Sequence, residues 1–235
     1  MEPTDRIAKL DWRKVAGDLD ELGHARIPRV LNAAQCRELV RLYDADDRFR
    51  STIDMEPRRF GRGQYRYFAR PLPPQVEALR RAFYPPLARI ADEWQARLGR
   101  AERFPPSLGG FLRRCHAAGQ RRPTPLLLRY GEGDYNHLHQ DLYGTVAFPL
   151  QVALLLSRPG RDFEGGEFLL VEQRPRQQSR GEAIALERGE ALVFPTRERP
   201  VEGARGIYRA ATRHGASRVR AGRRVVLGII FHDAK

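Results

Sequence analysis

FPLQVALLLSRPGRDFEGGEFLLVEQ, residues 148–173, holds two apolar runs divided by a turn built from Gly, Pro and Asp. Each run has the length of a strand rather than a helix, and the break between them consists of turn formers. The pattern repeats on both sides, in PLLLRY (125–130), EAIALE (182–187), EALVFP (190–195) and RRVVLGIIFH (223–232). Many short strands without intervening helices argue for a β-sandwich or barrel rather than a parallel α/β sheet. Residues 125–235 therefore read as a β-rich core.

Upstream the periodicity changes. Residues 11–22 read as a helix ending at Gly23, and HARIPRV as a short extended piece. Asn32 is a good N-cap for a helix over about 33–44. RRFGRGQYRYFARPLPP (58–74) reads as a loop or hairpin rich in arginine and aromatics. Residues 75–98 predict a long helix interrupted at Pro85-Pro86, and about 106–118 another. Residues 1–124 are thus expected to form a mainly helical layer packed on the core 125–235, the two together making one compact domain.

Composition narrows the class. The chain has 235 residues, 41% hydrophobic and 30% charged, as in a globular protein with a sizeable core. No apolar run approaches the roughly 18 residues of a membrane span, and MEPTDRIAKLDWRK carries no secretory signal pattern. Cys36 and Cys115 are the only cysteines, so no disulfide framework is expected and the reading is a reduced, cytoplasmic protein. The net charge of +13 is uneven: residues 57–130 hold 16 basic and 4 acidic side chains, a net of +12. Such a segment can attract a polyanion, or it can be an ordinary solvated arginine-rich surface.

The chemistry concentrates in YNHLHQDLYG, residues 135–144. On a regular strand His137, His139 and Asp141 share one face and can converge on a point. His214, entering the last β run, is a candidate third ligand from elsewhere. Two histidines and one carboxylate that leave three positions open form the facial arrangement of non-heme Fe(II) oxygenases. The plainer alternative is a histidine pair satisfied within a polar turn.

The surrounding residues carry a resemblance. RYGEGDYNHLHQD, VALLLSRPGRDFEGGEFLLVE, LERGEALVFP and HGASRVRAGRRVVLGIIF resemble, in order, the elements of the 2-oxoglutarate- and Fe(II)-dependent dioxygenases. The likeness spans residues 125–233 and is similar to both the prolyl-hydroxylase-like and the alkylated-DNA-repair-like branches. More narrowly, GQRRPTPLLLRY, HQDLYG, DFEGGEF, EQRPRQQSR and IIFHDA resemble a bacterial family of nucleic-acid-modifying oxygenases. The resemblance implies a double-stranded β-helix (jelly-roll) core covered by N-terminal helices. It implies an oxidoreductase that uses Fe(II), 2-oxoglutarate and O2, with His139, Asp141 and His214 as iron ligands and catalytic residues. It further implies that Arg224 pairs with the distal carboxylate of 2-oxoglutarate, a match for a guanidinium fork. Arg223 is expected to face solvent. Where many relatives place a tyrosine before an LN pair, this chain reads Leu155-Leu156-Ser157, so Tyr130 or Gln151 is expected to take over that cosubstrate contact. Tyr130 is equally readable as a core aromatic.

For the substrate, two readings stay open. One is oxidative demethylation of alkylated nucleic-acid bases, a DNA-repair activity, with Tyr65, Arg66, Tyr67 and His137 as contacts. There aromatics would stack on a base and arginines would hold phosphates. The other is hydroxylation of a protein or peptide side chain such as proline. A third possibility, a non-catalytic binding module, fits poorly with a complete set of iron and cosubstrate residues. His24, His116 and His232 read as structural.

Overall fold

The structure, a computed structural model, describes residues 1–204 and 206–235. Its five described α-helices are α1 (Pro3–Ala8), α2 (Trp12–Glu21), α3 (Ala33–Arg41), α4 (Pro74–Arg97) and α5 (Leu108–Ala117). The strands of the N-terminal region are β1 (Ala25–Ile27), β2 (Phe49–Asp54), β3 (Gly61–Arg62) and β4 (Gln64–Phe68). Those of the C-terminal region begin with β5 (Leu126–Tyr130), β6 (Tyr135–His139), β7 (Leu150–Leu155), β8 (Phe163–Gly165), β9 (Phe168–Gln173) and β10 (Arg180–Ile184). They continue with β11 (Ala191–Pro195), β12 (Glu198–Gly203), β13 (Gly206–Ala216), β14 (Val219–Gly222) and β15 (Arg224–Ile229).

Seven strands form one antiparallel sheet in the order β1-β11-β7-β15-β5-β4-β2. A second sheet runs β10-β9-β13-β6-β3, with β12 on the free stretch of β13, and β14 pairs with β8. This is the jelly roll expected from the β-rich runs. The large sheet is buried on both faces, which explains why its strands read as continuous apolar runs rather than alternating ones. On β7, Leu150, Val152 and Leu154 join the cluster shared with the helices, while Ala153 and Leu155 point into the roll. The same alternation divides β15, where Val225, Leu227 and Ile229 meet the helices and Val226 lies inside. The helical side is filled by Leu19, Leu39, Val76, Phe83 and Leu87 and by an aromatic cluster of Tyr84, Phe104, Phe111, Phe148 and Phe231. Each such buried side chain contributes roughly 2 kcal/mol.

Three expectations change. The N-terminal region is not only a helical cover, because β1, β2 and β4 extend the large sheet and β3 extends the small one. The helix over 75–98 is not interrupted: α4 runs through Pro85 and Pro86. Each proline removes a helical hydrogen bond, but Phe83, Tyr84, Leu87 and Ile90 bury this part of α4 on the large sheet, and that packing keeps the helix continuous. The helix after Asn32 is shorter than expected. Asn32 and Gln35 form a reciprocal capping box, and the α-helix gives way to a 3-10 turn at Leu42.

The basic middle segment also resolves differently. Much of its arginine is stapling rather than free surface: Arg66 pairs with Asp46, Arg97 with Asp20, Arg100 with Glu198 and Arg129 with Asp44. Arg80, fully buried in α4, reaches Asp233 at 3.0 Å and donates to the carbonyls of Ile230 and Phe231. The acidic partners lie outside residues 57–130, so a segment count exaggerates the net field at the surface.

Candidate metal centre and cosubstrate pocket

The small sheet brings the three candidate ligands together through strand register. His214 on β13 stands opposite His139 on β6, but Ala216 stands opposite Asn136. One residue on β13 is therefore matched by two on β6, a bulge that breaks the period of two. As a result His139 and Asn136 both face the interior, while His137 is exposed and leans on Tyr135 with ring centroids 5.2 Å apart. The three-residue alternation read in the sequence is thus correct for His139 and not for His137. Asp141 lies two residues beyond the end of β6 and turns back into the same space.

The convergence is close. The candidate ligand atoms of His139, Asp141 and His214 all lie within 4.8 Å of one another, the one such cluster among the described residues. His214 Nε2 is 3.2 Å from Asp141 Oδ2, and His139 Nε2 is 3.6 Å from Asp141 Oδ1. His139 Nδ1 donates to the backbone carbonyl of His137 at 2.8 Å, which leaves the Nε2 lone pair aimed inward. His214 packs against a wall made by Phe168 (5.8 Å, parallel) and Phe194 (4.8 Å), whose rings meet each other at 4.7 Å, and this contact favours its inward orientation. Burial, with His139 close by, lowers the pKa of His214 and keeps a neutral imidazole available. For Asp141 burial acts upward, but hydrogen bonding to His214 and the nearby imidazoles outweigh it and hold the carboxyl well below the usual range. Tyr143 donates to Asp141 Oδ1 at 2.7 Å and accepts from Tyr67 at 2.9 Å. Burial first, then the charge of Asp141, raises the pKa of Tyr143, so this donor keeps its proton.

A cavity of about 350 Å³ opens beside these groups. Tyr130, Asn136, Gln151 and Arg224 line its inner end. Arg224 on β15 stands directly opposite Tyr130 on β5, its guanidinium carbon 5.5 Å from the ring centroid. Its Nε is buried and unpartnered, and no described carboxylate lies within ion-pair distance of it. Gln151 Nε2 is a second unpartnered buried donor. Tyr130 is held by Asn136 Nδ2 at 3.3 Å, and burial raises its pKa to about 12. Arg223, the neighbour of Arg224, is exposed as expected. The GGE turn lies under Arg224: Gly166 takes φ +62°, and a β-carbon there would sit 2.7 Å from Arg224 Cδ.

The substrate candidates separate. Tyr65 and Tyr67 face the cavity from β4. Arg66, between them, lies on the other face, where it holds Thr52, the Tyr43 carbonyl and Asp46, so its placement among the substrate contacts does not hold. His137 lines the cavity mouth. His24, His116 and His232 stay outside the cluster: His24 approaches Glu182, His116 approaches Asp233, and His232 accepts from the Phe148 N–H. Sequence reading missed Asn136, Tyr143, Phe168 and Phe194. Tyr143 carried a usable signal, standing two residues after Asp141, whereas the other three depend on the bulge and on cross-strand stacking.

An antiparallel jelly roll with a His–Asp–His cluster and a buried arginine inside its mouth is the architecture of a 2-oxoglutarate/Fe(II) oxygenase. Comparison with solved structures agrees on the fold. A 2OG-Fe(II) oxygenase family oxidoreductase from Burkholderia pseudomallei superposes with a TM-score of 0.55 at 16% identity, covering 96% of this chain and 93% of that one. A Pseudomonas putida prolyl-4-hydroxylase gives 0.53 at 14% identity over 95% and 100% of the two chains. Residues 63–234 match the family described as "Oxygenase, catalysing oxidative methylation of damaged DNA", and the chain belongs to that family. Two Mycobacterium tuberculosis proteins, MT2286 of strain CDC 1551 / Oshkosh and Rv2227 of strain ATCC 25618 / H37Rv, are each 54% identical over 167 residues, 71% of this chain and 72% of theirs. The protein is therefore an oxygenase. No described helix is long and apolar enough to cross a membrane.

Proposed function

We propose that this oxygenase holds Fe(II) with His139, Asp141 and His214, holds 2-oxoglutarate with Arg224, Tyr130 and Gln151, and demethylates alkylated nucleic-acid bases. The observation that carries the cofactor assignment is the pair of unsatisfied donors. A buried guanidinium with no counter-ion costs several kcal/mol, and both Arg224 Nε and Gln151 Nε2 lack a partner. A dianionic cosubstrate supplies the acceptors they need, and the two-nitrogen, one-oxygen donor set suits a ferrous ion with open positions. When bound, iron, 2-oxoglutarate and O2 together supply the oxidising power to hydroxylate an unactivated C–H bond, yielding succinate and CO2.

The chain's own residues do the rest. Tyr143 orients the Asp141 carboxylate and keeps it ionised. Phe168 and Phe194 hold His214 in place and line the cavity with apolar surface, which excludes water. Tyr65 and Tyr67 form an aromatic wall suited to a planar base. The family description speaks of damaged DNA, which supports the substrate class. Hydroxylation of an N-methyl group gives an N-hydroxymethyl product that collapses to formaldehyde and the free base, so the net change is loss of the methyl group.

An oligonucleotide carrying an N-methylated base, incubated with Fe(II), 2-oxoglutarate and O2, is expected to yield formaldehyde and succinate in equal amounts. Succinate formation coupled instead to a +16 Da mark on a peptide, with no formaldehyde from any nucleic acid, would move the substrate to the side-chain hydroxylase reading. Gly166→Ala tests the cosubstrate pocket separately. The position requires a left-handed backbone that alanine disfavours, and the added β-carbon would displace Arg224. KM for 2-oxoglutarate is expected to rise by about tenfold, the loss of roughly one charge-assisted hydrogen bond, with a smaller fall in kcat. An unchanged KM would show that Arg224 does not bind the diacid.

A further inference from the structure

Among the described residues six large hydrophobic side chains are exposed, and three of them, Phe60 (47% exposed), Leu138 (42%) and Leu142 (41%), lie at or beside the mouth of the cavity. Exposed apolar side chains gathered at one mouth of an otherwise arginine-rich protein point to a contact surface. On one side the rim is built by a tight turn. Met55, fully buried, accepts from the N–H groups of Arg58 and Phe60 through its carbonyl. The Phe60 carbonyl in turn accepts from the His137 N–H at 2.9 Å. A β-carbon at Gly61 would lie 2.4 Å from the Tyr135 carbonyl oxygen, so the turn is pressed against β6 with no room to lift. Arg59 at its apex takes φ +59°, a conformation uncommon for a side-chain-bearing residue, and the resulting direction places it over the cavity it lines.

The rim continues along β6. Arg62 pairs in register with Tyr135, Arg218 lies over the Tyr135 ring at 5.3 Å, and Tyr135 meets His137 edge to face. Arg62 has one acidic neighbour, Asp134, at 3.4 Å, which also accepts from the Gly131 N–H. Arg58 and Arg59 have none within ion-pair distance, and Arg58, Arg59, Arg62 and Arg218 are all exposed. Aromatic faces and arginines thus follow one another from the mouth, where Arg59, Phe60 and His137 stand, outward along β6 to Tyr135, Arg62 and Arg218, an arrangement suited to stacking bases while arginines hold successive phosphates.

We propose that this edge is a track for single-stranded DNA, in which Phe60, Tyr135 and His137 stack on bases flanking the reacting one and Arg59, Arg62 and Arg218 hold their phosphates. The proposal rests on the nucleic-acid reading above and extends it to strand state and to named contacts. Aromatic side chains can use a base face only when the base is not already stacked in a duplex, so an unpaired strand gains what a duplex must first give up. Positive charge beside apolar surface favours a polyanion with planar rings over a neutral peptide.

The test measures binding of an unmodified, fluorescein-labelled oligothymidylate by anisotropy, against a hairpin duplex of matching length, across a salt series. The protein is expected to prefer the single strand, with log Kd rising with log salt at a slope of about 2 for three phosphate contacts. Arg59→Ala, Arg62→Ala and Arg218→Ala together should take that slope close to zero. Phe60→Ala and Tyr135→Ala should each weaken binding by roughly 5- to 100-fold and leave the slope alone. A rise in melting temperature on adding Mn(II), equal in variants and wild type, shows that the fold and metal cluster survive. Equal or tighter binding to the duplex, or variants that bind like wild type, would overturn the track. If such variants bind like wild type while wild type still releases formaldehyde from methylated DNA, the track alone fails. If wild type binds the strand through these residues but forms no formaldehyde, the demethylation reading fails and the track stands.

Discussion

Replacing Asp141 with alanine is expected to abolish turnover, with a loss of at least ~10³-fold, because the metal's contribution to the reaction is several kcal/mol and depends on this ligand. Asp141 is the only oxygen donor in the cluster and sits between the two imidazoles, at 3.2 Å from one and 3.6 Å from the other. Without it two neutral nitrogen ligands remain, and nothing in the cluster neutralises the ion. His214→Ala should give the same result by removing the ligand that Phe168 and Phe194 hold in place. The distinguishing control is His137→Ala. Its ring points away from the cluster and only its backbone carbonyl serves His139, so metal binding should survive. Mn(II) should raise the melting temperature of wild type and of His137→Ala but not of Asp141→Ala. Iron binding and turnover that persist in Asp141→Ala would remove the metal-centre assignment.

The second large effect concerns stability and arises at a buried ion pair outside the cavity lining. Asp233→Ala is expected to cost about 3–5 kcal/mol, the range for stranding one half of a buried ion pair. Arg80 and Asp233 are both fully buried, and Arg70 and His116 also converge on the same carboxylate at 2.6 and 3.0 Å. Removing it leaves the Arg80 guanidinium in the interior with only the carbonyls of Ile230 and Phe231, while one of its nitrogens already lacks a partner. In a chain of this size the loss corresponds to a fall in melting temperature of roughly 10 °C. Urea unfolding measures it directly, and the double replacement Arg80→Met/Asp233→Leu should recover most of the loss because no buried charge is then stranded. A cost below about 1 kcal/mol for Asp233→Ala would mean that the carbonyls alone satisfy Arg80.

How much of this was legible in the chain depends on the range over which each feature is determined. Strands β6, β12, β13 and β14 carry no apolar run and were not legible as strands, but β5, β7, β9, β11 and β15 were, because each is a local apolar run bounded by Gly, Pro or Asp. The helix caps at Asn32 and the end near Gly23 were readable for the same reason. Pro85 and Pro86 misled because their cost is local and visible, whereas the burial of Phe83 and Leu87 that outweighs it comes from a sheet whose strands are drawn from separate parts of the chain. The +12 middle segment misled in a similar way. Its arginines find acids such as Asp46, Asp20, Glu198 and Asp233 in other parts of the chain, and a count along the sequence cannot pair them.

The site shows the same division. His139, Asp141 and His214 were identifiable from residue type, order and resemblance to a family, and the same resemblance pointed to Arg224, ten residues after His214. Arg59 and Phe60 were legible as part of an arginine- and aromatic-rich stretch, but their place at the mouth beside Tyr135 was not, since exposure and a left-handed turn leave no periodic mark. The amino-acid sequence by itself determined the set of local elements, the class of fold and the side chains able to bind a metal and a diacid. The tertiary structure alone decided which of His137 and His139 turns inward, which donors are left without partners, and which arginines remain free. Those outcomes depend on strand register and on burial, and a single bulge between His214 and Ala216 shifts the register by one residue and so changes which face each neighbouring side chain occupies.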